Sequence, residues 1–542
     1  MTVAAVASSP EARRPAPRFV VAARPQPRIS GVFQLLLALY VLLIGAAPQI
    51  FQALAFGLAG GAGSEFALAM VTSIARDALI VGAVIALSYH PLGILHPLLL
   101  AVVVWPLLIA VPGVIEDYGG WAGVLAGLPV QTPYFIGLPS HSASMVWIAI
   151  AKYNGLQAIA LAATFFGFWV FKGNGGVGRS ARPVPSSAAV RSILMGLIGV
   201  SLLVLAIFVH ERGGLSAHLT SLGSGRFREL ADVGVIMVLT DLGTVALAVW
   251  LASRPNDVKS PIFLAASVAV IFAQFASNAS RSSALEVPLL LGIIWAIRTR
   301  RIPWRIALLL VPVMFVSFGL LGAVRTSSWT GSNATEALTN TSWSESLARA
   351  EAEIEDRHSL NAQIPVVDRG FEVTGGPMLG RSYIAAIVAP IPRSMWENKP
   401  RGPDSLYAQL FLGEAREGRA IPVSPEGEMY WNFGIPGLLV LTILYGVLIR
   451  LAYNAMWRRY PNPFAVVFYV MFITTFRFGT TSLVAFEQSI VLLAICMVTV
   501  KFFLPHRNEV LDSRILGRNT TDVPSRTGPR GLPPGGAHTG SR

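Results

Sequence analysis

The sequence predicts an all-α polytopic membrane protein with about 12 transmembrane helices and one large external loop. Three observations lead to that class. Only 13% of the 542 residues are charged, where a soluble chain of this size carries about 25%. Mean hydropathy is +0.59, and one apolar segment after another reaches roughly 20 residues, enough to cross a bilayer as a helix. Basic residues collect in short stretches between these segments, as the positive-inside rule expects.

The elements follow in chain order. Residues 1–31 are rich in Arg, Pro and Ala and read as a disordered cytoplasmic tail. The apolar run that begins near 32 is too long for a signal core of about 7–15 residues, so it reads as a first transmembrane helix. Apolar helices are expected at 32–57, 67–89, 94–115, 144–171, 191–210, 231–252, 261–278, 283–297, 304–324, 433–455, 463–476 and 482–503. The seventh, eighth and eleventh are short or interrupted by polar groups. With the N-terminus inside, the inner connections are basic: Lys172, Arg179, Arg182 and Arg191; Arg298, Arg300, Arg301 and Arg305; Arg458 and Arg459. The turn at 90–93 is neutral. The tail at 505–542 is basic and rich in Gly, Pro, Ser and Thr, a second disordered cytoplasmic segment.

The chain thus divides into a tail, nine helices over 32–324, an external loop over 325–432, three helices over 433–504 and a second tail. The external loop holds 14 acidic and nine basic residues between 326 and 432, so it is net −5 while the rest of the chain is +18. A hydrated segment of that length, with its own tryptophans and prolines, is expected to carry function. Within it, 343–358 has helical spacing with Arg349/Glu353 and Glu353/Arg357 pairs, a solvated helix face.

Composition also excludes some functions. The net charge of +13 sits in loops and tails between apolar helices, so no nucleic-acid partner is expected. Cys496 is the only cysteine, so no disulfide forms within the chain. There is no His-Glu-x-x-His, no Cys/His grouping and no Gly-x-x-x-x-Gly-Lys phosphate loop, and no metal or other cofactor is expected.

Arginine beside a membrane helix needs a reason. Arg212, Arg226, Arg281 and Arg477 lie near the expected outer ends of helices, and Arg369, Arg381, Arg393, Lys399 and Arg401 lie in the long loop. Each alone could snorkel or meet a loop carboxylate. As a set they suit a shared anionic ligand such as a lipid phosphate, because guanidinium forks match phosphate oxygens. The stretch "PIPRSMWENKP" at 390–400 condenses the pattern: three prolines, Arg393, Trp396 and Lys399.

"GRSYIAAIVAPIPRSMWENKP" followed by "SPEGEMYWNFGIPG" resembles bacterial O-antigen polymerases of the Wzy type. The shared residues are Gly380, Ser382 and Tyr383; Pro392, Arg393, Trp396, Lys399 and Pro400; and Gly427, Glu428, Tyr430, Asn432, Phe433 and Gly434. The strong part covers about 60 residues. The "GGL" after Arg212 and the Ser-Arg at 281 also look similar.

The resemblance implies a fold akin to lipid-dependent membrane glycosyltransferases, in the cytoplasmic membrane with both termini cytoplasmic. It implies transfer of a growing glycan from undecaprenyl diphosphate to the non-reducing end of the next lipid-linked repeat unit, at the outer face, without nucleotide sugar or metal. The implied partners are undecaprenyl-diphosphate-linked oligosaccharides, membrane lipid and a chain-length regulator protein. Arg393 and Lys399 would stabilise the departing diphosphate. Trp396 would lie at the lipid interface or stack on a sugar. Glu428 would be the base or would ion-pair with an arginine, with Glu372, His358 and Asp404 as other candidate bases. Tyr430 and Asn432 would shape the site. Alternative readings are an O-antigen-ligase-like enzyme, a polyprenyl-monophosphate-sugar transferase using Glu116 and Asp117, and a 12-helix flippase or transporter with Lys152 and Asn154 inside a span.

Overall fold

The computed structural model describes residues 64–88, 95–104, 143–171, 188–219, 221, 234–278, 281–299, 362–389, 391, 395–396, 398–413 and 421–504. The expected helices at 32–57, 304–324 and 343–358, both tails, and most of the expected helix at 94–115 lie outside them. Among the described residues the regular secondary structure is entirely helical. The helices are α1 (Ser64–Ser88), α2 (Ala143–Val170), α3 (Ala188–Glu211), α4 (Gly234–Ser253), α5 (Pro261–Asn278), α6 (Arg281–Thr299), α7 (Gln363–Thr374), α8 (Arg381–Ile387), α9 (Pro403–Leu412), α10 (Pro425–Arg459), α11 (Pro463–Thr475) and α12 (Thr480–Phe503). Of the expected third span, residues 95–104 are described, and they include a π-helical turn at Leu99–Val104.

Six of these helices, α1, α2, α3, α4, α10 and α12, are long and apolar enough to cross a bilayer, and α5 and α11 are shorter apolar helices. The protein is a multi-pass α-helical membrane protein.

Helix α4 is the hub. It packs against α3, α5, α6, α11 and α12, and every residue from Val245 to Ala252 is buried. At its end, the Trp250 indole donates to Asp257 Oδ2 at 2.9 Å, which fastens the turn into α5.

Helix α2 forms a second unit with α1 and α10. It crosses α10 through two glycines. A Cβ at Gly446 would lie 2.1 Å from the Thr164 carbonyl oxygen, and one at Gly167 would lie 2.1 Å from the Ile443 carbonyl oxygen. Only glycine lets two backbones approach so closely, the small-residue packing that membrane helices use where burial drives little.

Helix α10 begins earlier than its apolar run. The expected start was 433, yet the helix runs from Pro425 because Ser424 caps it, accepting from Gly427 N at 3.0 Å, and Pro425 occupies the first turn. Glu426 and Glu428 then sit where the helix dipole favours negative charge. The helix breaks at Gly434, whose φ of 67° is left-handed. Pro436 has no N–H to give to Asn432 O, and the break frees Trp431 O as well. Both carbonyls are taken up by the strand of chain ahead of α8: Met378 N donates to Trp431 O at 3.1 Å and Leu379 N to Asn432 O at 2.9 Å. The apolar part of α10 therefore starts close to the expected boundary, with an additional polar helical segment ahead of it.

Candidate functional site

The break in α10 places its first nine residues, with α7, α8 and α9, over one end of the bundle. Helix α7 rests on α2 and α10, and α8 on α10 and α12. Trp431 anchors the assembly. It is fully buried, and its indole donates to Gly370 O of α7 at 3.0 Å. The face of Gly370 admits the ring, since a Cβ there would lie 3.0 Å from Trp431 Cδ1.

One turn before Trp431 on the helix, Glu428 is 1% exposed. Its Oε1 accepts from Ser382 Oγ of α8 at 2.5 Å, and its Oε2 accepts from Thr480 N of α12 at 2.7 Å. Thr480 Oγ1 lies against both Glu428 Oε1 and Ser382 O, and its one proton serves one of them at a time. Asn432, one turn further, donates to Ser382 Oγ at 2.8 Å and accepts from Gly380 N at 3.0 Å. A single carboxylate thus ties together α8, α10 and the start of α12. Among the described residues its partners are hydroxyls and a backbone N–H; no guanidinium pairs with it, unlike the ion pair that was one of the two expected roles.

Tyr383 completes this layer. Its hydroxyl donates to Phe478 O at 2.9 Å, and its ring stacks on Phe433 at 5.9 Å. Burial, reinforced by Glu428 and Glu426, pushes the phenol above its ordinary range. Asp404 of α9 closes the neighbouring side: Oδ1 accepts from Val423 N at 3.0 Å and Oδ2 from Thr481 Oγ1 at 3.1 Å. Burial raises its pKa, against the lowering effect of those two bonds.

The expected cations take separate places. Lys399 donates to the carbonyls of Ala389 and Ile391, both at 2.8 Å, and so closes the loop after α8 on itself. Arg369 pairs with Glu372 on the same helix, and Arg401 donates to Gln409 at 3.0 Å. Arg477 ends α11: it donates to the carbonyls of Phe476 at 2.7 Å and Ala101 at 2.5 Å, and lies over the Tyr445 ring. Arg212 lies over the Phe208 ring at 4.6 Å. Arg381 opens α8 and is exposed. Trp396 is exposed. Tyr430 stacks on Phe371 at 4.9 Å. Arg281 opens α6, and its side chain, like Arg393, Arg226, His358, Glu116 and Asp117, lies outside the described residues. The structure gathers Glu428, Asn432, Ser382 and Tyr383; it leaves Arg212 and Arg477 in aromatic and carbonyl surroundings of their own.

Lys152 and Asn154 also find partners. Lys152 bridges α2 to Asp368 of α7 at 2.7 Å. Asn154 accepts from Arg76 of α1 at 2.8 Å, within a network in which Arg76 also reaches Gln157, Ser73 and Asp77. Sequence reasoning missed Thr480 and Arg76. Thr480 lies in "FRFGTTS", where Arg477 is the charged residue, and Arg76 lies beside Asp77 in a largely apolar run.

No described group of three or more His, Cys, Asp or Glu side chains could hold a metal ion. Compared with family models, curated proteins and solved structures, the chain finds no match. The motif residues themselves therefore carry the functional reading.

Proposed function

We propose that the protein is a membrane glycosyltransferase of the Wzy type, which polymerises lipid-linked oligosaccharide repeat units at the outer face of the cytoplasmic membrane. One observation carries the proposal. The motif halves around Ser382 and Glu428 are 46 residues apart in sequence, yet they interlock through Ser382–Glu428, Asn432–Ser382 and Gly380–Asn432 hydrogen bonds at one end of the apolar helices. A motif whose members meet in one buried cluster beside a lipid-facing bundle suits chemistry on a lipid-linked substrate.

In this reading the bond between the anomeric carbon of the growing glycan and undecaprenyl diphosphate breaks. A bond forms to a hydroxyl of the incoming repeat unit, the hydroxyl proton passes to a base, and the diphosphate leaves with the bonding electrons. Arg393 and Lys399, in a proline-stiffened loop, supply positive charge to that leaving group in place of a metal. Glu428 acts first as the strut of the motif. It accepts the proton only where a substrate hydroxyl replaces Ser382 or Thr480 as its donor. Both termini are cytoplasmic in this topology.

The test is deletion of the gene followed by mass spectrometry of undecaprenyl-diphosphate-linked glycans and of surface polymer. The expected result is accumulation of complete single repeats on the outer leaflet with loss of long polymer. Repeats trapped on the inner leaflet, or truncated repeats lacking one sugar, overturn the proposal in favour of a flippase or of a monophosphate-sugar transferase.

A further inference from the structure

Helix α8 has two unlike faces. Ser382, Ala385 and Ala386 are buried against the Glu428 layer. The opposite side carries large exposed apolar groups: Ile384 is 48% and Ile387 75% exposed, flanked by Leu379 at 76% and Met395 at 79%, with Ile391 and Trp396 also exposed. In water this would be a costly surface, since contiguous exposed apolar patches on soluble proteins mark interaction sites.

Hydrogen bonds fix the depth of this face. Thr480, whose hydroxyl oxygen lies 3.0 Å from Ser382 O, is the first residue of the span α12. Phe478, whose carbonyl receives the Tyr383 hydroxyl, lies two residues before it. On the other side, Leu379 is bonded to Asn432, two residues before the break that begins the apolar part of α10. Helix α8 is thus level with the ends of two membrane spans. Exposed apolar side chains also run along α10, next to Gly380 at the start of α8: Phe433 and Ile435 at its head, and Val440 and Leu444 further along it.

We propose that α8 and its flanking apolar side chains form an interfacial membrane anchor, seated in the leaflet at this end of the bundle. Leu379, Ile384, Ile387, Ile391 and Met395 occupy the acyl boundary, and Trp396 sits at headgroup depth, where amphipathic rings are favoured. Arg381, exposed at the first position of α8, then stands at the level of lipid phosphates. Helix α8 then separates the buried Glu428 layer from lipid. This inference stands whatever reaction the protein carries out.

The test uses the full chain in lipid nanodiscs holding one copy each. Cys496 is buried and is the only cysteine, so C496A gives a cysteine-free background. Single cysteines at Ile387 and Met395 remove little packing, because both side chains are largely exposed. Each is labelled with an environment-sensitive fluorophore and quenched either by nitroxide-bearing phosphatidylcholine or by aqueous iodide. V498C, on the exposed face of α12, is the lipid reference, and E372C on α7 is the water reference. The expected result is blue-shifted emission at 387 and 395, quenched by the lipid nitroxide and untouched by iodide, as at 498. Iodide quenching with no lipid quenching, as at 372, overturns the proposal. So does a blue shift that develops only in discs holding two copies, which would assign the face to a second copy of the chain.

Discussion

Two regions of this protein bury a carboxylate, and they do so in opposite ways. Asp77 lies halfway along α1, with Arg76 donating to its Oδ1 at 2.9 Å and, among the described residues, no hydrogen-bond partner for its Oδ2. Glu428 lies at the head of α10, with no described cation at hand and both oxygens supplied by donors. The first is neutralised by charge and left incomplete in hydrogen bonding. The second is complete in hydrogen bonding and has no counter-charge among the described residues. A carboxylate deep in a span needs charge compensation above all, because desolvation there is severe. At the end of a span, a helix N-terminus and nearby hydroxyls suffice. The difference teaches that the Arg76 network is a joint between α1 and α2 within the spans, while the Glu428 cluster is a buried junction of α8, α10 and α12 at the end of the spans.

The comparison can be broken most forcefully at Arg76. Arg76→Ala leaves Asp77 buried without its cation and is expected to cost about 3–5 kcal/mol of unfolding free energy, measured by steric trapping in bicelles. Replacing both residues at once, R76M with D77L, is expected to recover most of that loss; if the double variant is as unstable as the single one, charge compensation is the wrong description. Glu428→Ala is expected to cost about 2–3 kcal/mol, since donors from two elements lose a charged acceptor. Ser382→Ala, removing one of them, is expected to cost about 1–2 kcal/mol.

Smaller effects sharpen the contrast. Gly446→Ala forces apart α2, which carries Asn154 and Gln157, and α10, which carries Glu428; overpacking of this kind costs about 1–3 kcal/mol. Lys152→Ala breaks a partly exposed bridge and is expected to change stability by about 1 kcal/mol or less. The pH dependence of the junction follows from Asp404. Its raised pKa means that the folded state holds the proton more tightly than the unfolded chain, so stability is gained as pH falls through that pKa and lost as pH rises through it. Asp404→Asn is expected to flatten this part of the pH profile of thermal unfolding.

Much of the bundle was legible from apolar runs alone. The segment expected at 261–278 is α5, and those expected at 67–89, 144–171 and 482–503 are α1, α2 and α12 within a few residues. The head of α10 was not legible as helix, because Pro425 to Glu428 is polar and its helicity rests on a cap and on packing under Trp431. Of the site, Ser382, Glu428 and Asn432 were visible as motif members. Thr480 was not, because its role depends on contacts across 52 and 98 residues of sequence that no local pattern encodes. The arginines show the converse limit. Residue type suggested an anion site for Arg477, yet it donates to three carbonyls, since a guanidinium at a helix C-terminus satisfies orphan backbone acceptors equally well.

The proposed role of the Glu428 junction is polymerisation of lipid-linked repeat units. Its most direct test is reconstitution of the purified protein in nanodiscs with undecaprenyl-diphosphate-linked repeat units, in a chelator and without nucleotide sugar, with products read as a ladder by mass spectrometry. A ladder of two and more repeats is expected with the native chain, and its loss in a Glu428→Gln variant that remains folded. Failure of the native chain to form any dimer of repeats, or an undiminished ladder from the folded Glu428→Gln variant, would contradict it.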